Sequence, residues 1–81
     1  MELKNTVDQM LSSDYKDRFI AEYNQLECRL NKLTTMLEKW ERGELDFTPI
    51  CPKELLEEQA DVMAKYLEIL ANRAALEGIT L

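Results

Sequence analysis

Eighty-one residues make one domain at most, and a domain this small needs a staple of disulfides, metal or partner chains. A net charge of −6, from 16 Asp and Glu against 10 Lys and Arg, disfavours the basic face of a DNA-coating protein. There is no His, which removes Ser-His and Cys-His nucleophile pairs, and Cys28 and Cys51 allow one bridge or a poor zinc site without CxxC spacing, so association with other chains is the expected staple.

Residues 1–12 place Leu3, Val7, Met10 and Leu11 at helical spacing and predict a short amphipathic helix. The Ser12-Ser13-Asp14 cluster ends it and starts the next helix, since Ser13 or Asp14 can cap and Asp17 suits the positive end of the dipole. Residues 13–81 form the second unit, a helical hairpin with helices at about 14–42 and 53–77. In the first long helix, Phe19, Tyr23, Leu26, Leu30, Leu33, Leu37 and Trp40 recur at steps of 4 and 3, the spacing of helices packed side by side. It is roughly 43 Å long, and Gly43 is its expected stop.

The connection Gly43 to Pro52 contains two prolines, and Leu45, Phe47 and Ile50 are expected to fold back over the helix ends. Pro52 suits the first position of the last helix, which is roughly 37 Å long and stops at Gly78. Similar lengths and a short loop predict an all-α antiparallel hairpin.

The last helix carries two stripes. Leu56, Ala60, Met63, Leu67, Leu70 and Ala74 form an apolar one that faces the first long helix. Beside it, Leu55, Val62, Ile69 and Leu76 repeat every seven residues, with Gln59, Tyr66 and Arg73 between them. A two-helix hairpin has one internal seam, so this second stripe would stand in water at about 1.5–3 kcal/mol per side chain. The N-terminal helix, roughly 16 Å long, is too short to cover it. A homo-oligomeric helical bundle is therefore expected, a dimer or a higher assembly of dimers. Gln59, Tyr66 and Arg73 then have two readings. They set register and partner choice, or they line a pocket between protomers with an amide, a ring and a guanidinium.

Other chemistry finds little support. Carboxylate pairs such as Glu57-Glu58 read as a solvated face, and the only two glycines sit at helix ends, so there is no phosphate loop. No catalytic residue, cofactor or metal site is expected. Cys51 is a boundary residue beside Pro52, or a reactive thiol at a helix N-terminus. Gln25, Arg29 and Lys32 share a face at steps of 4 and 3, with Tyr15, Lys16 and Arg18 earlier, either as a solvent face or as a cationic and aromatic surface for an anion. The segment Asp14 to Arg42 is neutral, whereas residues 43–81 carry eight acids against three bases, an acidic surface for a host protein. The apolar runs are too short for a membrane span and Met-Glu-Leu-Lys-Asn has no signal-peptide pattern, so the cytoplasm is the expected location.

Two sets of residues, Ser13-Asp-Tyr-Lys-Asp-Arg-Phe19 with Glu22, Leu26, Arg29 and Lys32-Leu33, and Leu55-Leu56 with Gln59, Met63, Tyr66, Ile69-Leu70 and Arg73, carry a resemblance. Over about residues 13 to 79 the chain resembles a family of small phage-encoded helical proteins whose best-understood members are anti-CBASS sponges. The resemblance implies a hexamer built from dimers, binding cyclic di- and trinucleotides between chains without cleaving them, in the host bacterial cytoplasm. It implies that Tyr15 and Lys32 contact a cyclic dinucleotide and that Arg73 serves a cyclic trinucleotide. The candidate ligand residues are therefore Tyr15, Arg29, Lys32, Gln59, Tyr66 and Arg73. The competing reading is an oligomeric scaffold or inhibitor of a host protein.

Overall fold

The computed structural model describes residues 2–81, which form helices and no strand. A 3-10 turn, Leu3–Thr6, runs into one turn of α-helix, α1 (Val7–Met10). Two long helices follow, α2 (Tyr15–Glu41) and α3 (Lys53–Glu77). No helix among the described residues is long and apolar enough to cross a membrane.

The ends of the long helices are set by short-range chemistry. The Asp14 carboxylate accepts from the Lys16 amide at 3.0 Å, while the Ser12 hydroxyl donates to Asp17 at 2.8 Å. Gly43 takes φ +69° past the end of α2, and the amides of Gly43 and Glu44 return to the carbonyls of Trp40 and Lys39. Gly78, at φ +70°, repeats the device on α3, where the Ile79 amide donates to Ala74 at 2.9 Å. That left-handed turn folds Ile79 back into the core with Phe19, Leu70 and Ala74.

Contacts pair the start of α2 with the end of α3, Phe19 against Leu70, Ala74 and Ile79, and the end of α2 with the start of α3, where Lys53 bonds Glu41 and lies 6.0 Å from the Trp40 ring centre. The stripe Leu56, Ala60, Met63, Leu67, Leu70 and Ala74 is buried or half-buried throughout. Its neighbour is not. Leu55, Val62, Ile69 and Leu76 are 54%, 63%, 46% and 88% exposed in the single chain.

The N-terminal segment corrects the expectation of an eleven-residue amphipathic helix, whose first residue, Met1, lies outside the described residues. Its helical periodicity breaks at Thr6, whose hydroxyl donates to the Leu3 carbonyl at 2.7 Å. Thr6 is the buried residue, whereas Val7, Met10 and Leu11 stay exposed. The segment packs on α2 and not on α3. Gln25 holds it, donating to the Thr6 hydroxyl at 2.8 Å and to the Met10 sulfur at 3.3 Å. Ala21 and Cys28 flank Gln25 at steps of 4 and 3, on the side of α2 away from α3, and both are buried.

The connection folds back only in part. Leu45 is half-buried, but Phe47 is exposed and Ile50 fully so.

Candidate functional site

At one end of the molecule an aromatic and charged cluster spans α2 and α3. The Arg73 guanidinium lies 4.9 Å from the centre of the Phe19 ring, within cation–π range. Its Nε donates to the Glu77 carboxylate at 2.9 Å. One heptad back on α3, the Tyr66 hydroxyl donates to Glu22 of α2. The Glu77 hydrogen bond holds the Arg73 pKa above its ordinary value against opposing desolvation, with the charges of Glu77 and Glu22 adding to the rise. Tyr15, the first residue of α2, lies seven residues before Glu22 as Arg73 lies seven after Tyr66, which places it level with Arg73.

The pairing of Glu22 with Tyr66 fixes a register. Seven residues further along α2 and seven back along α3, that register sets Arg29 level with Gln59, roughly 10 Å from the Glu22–Tyr66 pair. Five of the six candidates thus share one flank of the α2–α3 pair: Tyr15 and Arg29 from α2, and Gln59, Tyr66 and Arg73 from α3. All five are exposed. The uncovered apolar stripe of α3 borders this flank. Leu55, Gln59 and Val62, with Glu58 and Met63, line a shallow depression of about 410 Å³.

Lys32 stands apart. It lies 17 positions beyond Tyr15, roughly 25 Å along the helix and about 100° around it. With Lys39 it lines a groove of about 280 Å³ between the outer face of α2 and Leu45 and Phe47 of the connection. Of Gln25, Arg29 and Lys32, which share a face of α2, Gln25 is engaged by the N-terminal segment.

Sequence reading assigned Phe19 to the core and gave Glu22 only an intrahelical pairing with Arg18 and a place among the residues of the resemblance. Phe19 is buried, yet the face of its ring carries Arg73. Only three-dimensional register reveals Glu22, since its partner lies 44 positions away.

The flank can stack rings, offer guanidinium donors to an anion and present carboxylate and amide acceptors. It holds no nucleophile–base pair. Among the described residues no three metal-ligating groups cluster, and Cys28 and Cys51 are free thiols, one buried and one exposed.

Comparison with curated proteins and with solved structures finds no match. Comparison with protein families does, over residues 13–76, nearly the span that carries the resemblance to anti-CBASS sponges. The chain belongs to the Sequestin family.

Proposed function

We propose that the chain is a phage anti-defence sponge that binds cyclic di- and trinucleotide second messengers between copies of itself and does not cleave them. The observation that carries this reading is the flank that Tyr15, Tyr66 and Arg73 share, in the register set by Tyr66 and Glu22, beside an uncovered apolar stripe. The family name, which speaks of sequestration, supports it.

In this reading residues 13–81 form an antiparallel hairpin, residues 1–12 are an extension of it, and a second copy covers Leu55, Val62, Ile69 and Leu76. The flank then lies at the edge of the interface. Bases stack on the tyrosines at about 1–3 kcal/mol each, and Arg73 takes a phosphate through paired N–H donors. In one protomer Glu22 and Glu77 offset Arg29 and Arg73, so a ligand with two or three negative charges draws its cations from more than one copy. Lys32, outside the flank, joins from a neighbouring copy.

Calorimetric titration with a panel of cyclic di- and trinucleotides tests this. Binding by at least one, with ligand recovered intact and lost on Arg73→Ala at unchanged assembly mass, is the expected result. No binding at tens of micromolar by any of them removes the proposal.

A second reading rests on the exposed acidic residues of α3, among them Glu54, Glu57, Glu58, Asp61 and Glu68. They suit a scaffold or inhibitor that docks on a basic host protein. A stoichiometric protein partner recovered without any nucleotide binding would favour it.

A further inference from the structure

We propose that Glu77 is an internal counter-ion that competes with the anionic ligand for Arg73 and so sets the affinity of the site. This deepens the reading above and rests on Arg73 meeting a phosphate of the ligand.

Glu77 sits where helix energetics argue against an acid. It is the last residue of α3, at the negative end of the helix dipole, and that last turn holds no base. Its pair with Arg73 runs in the weaker orientation, with the base four residues N-terminal to the acid. Within the helix that weaker pair is all that rewards a carboxylate here.

What the carboxylate does is occupy the guanidinium. Phe19 covers one face of Arg73 and Glu77 takes its Nε–H, while the terminal NH2 groups make no hydrogen bond among the described residues. A phosphate can use the NH2 edge alone, or displace Glu77 and take the Nε edge in a two-point contact. Glu22, paired with Tyr66 one heptad back, adds a second negative charge on the same flank. A singly charged anion therefore gains little over the carboxylates already present. A ligand with several phosphates meets guanidinia from several copies and overcomes them. The internal acid thus discriminates by charge number.

The test is calorimetry on the full-length chain and its Glu77→Gln variant, titrated with cyclic diguanylate, cyclic diadenylate, cyclic triadenylate and the singly charged 5′-methyl ester of AMP. We expect Glu77→Gln to tighten the cyclic ligands that bind by about 3–10-fold and to admit the singly charged probe more readily, at unchanged assembly mass and melting temperature. Combined with Arg73→Gln it should restore no binding that Arg73→Gln alone has lost, whereas a general relief of negative charge would restore some. Equal or weaker binding by the variant, with binding by the parent chain intact, overturns this inference alone. Absence of binding by both chains overturns the sponge reading with it.

Discussion

The Tyr66 hydroxyl donates to the Glu22 carboxylate across 44 positions of sequence, fixing the register of α3 against α2 on the flank that also holds Arg73. One side chain both locks two helices and presents a ring to solvent. Tyr66→Phe keeps the ring and loses the bond. It should cost about 0.5–1.5 kcal/mol of stability in urea unfolding and leave ligand binding within a few-fold of the parent. Tyr66→Ala removes the stacking surface as well, and its affinity in calorimetry should fall by about 10-fold or more.

Charging the uncovered stripe separates assembly from folding. Val62→Glu combined with Ile69→Glu places two acids at positions that are exposed in the single chain, so helicity by circular dichroism should persist. Light scattering should fall to the mass of one chain at micromolar concentration. An assembly of unchanged mass would show that copies meet through another face.

The end of α3 is held by one residue beyond it. Ile79→Ala empties a buried position against Phe19 and Ala74 and should cost about 2–3 kcal/mol in urea unfolding. Gly78→Ala is milder. A Cβ there meets nothing within 4 Å, so the cost is backbone strain alone, about 1–2 kcal/mol.

Lys53 anchors the start of α3 to Glu41, and that hydrogen bond raises its pKa above the ordinary lysine value despite opposing desolvation. A pKa raised in the folded state gives stability that is present below the unfolded value and lost as pH rises through the folded one. The melting temperatures of the parent chain and Lys53→Gln should therefore differ by a constant amount between about pH 7 and 9. The difference should close only above the ordinary lysine pKa.

Much of this was readable from the sequence, for reasons tied to particular residues. The bounds of α2 and α3 follow from Asp14, Gly43, Pro52 and Gly78, where capping and left-handed turns depend on nearest neighbours. The apolar seam and the bare stripe beside it follow from spacing alone. The N-terminal segment was not readable, because a side-chain bond between Thr6 and Gln25 leaves no periodic trace and the apolar residues around it face solvent. Ile79 escaped notice because it lies past the helix whose core it completes. The candidate residues divide similarly. Heptad spacing aligned Gln59, Tyr66 and Arg73, and the 17 positions between Tyr15 and Lys32 set those two apart, but only the observed register joins Tyr15 to α3.

The docking of residues 3–10 on the back of α2 has a practical consequence. Cys28 is buried on the side of α2 where that segment docks, whereas Cys51 stands open in the connection. A thiol-modifying dye should label Cys51 at once and reach Cys28 only as fast as the packing around it opens. The molecule thus carries its own stopwatch for local breathing, with a second sulfur on the same chain as the reference.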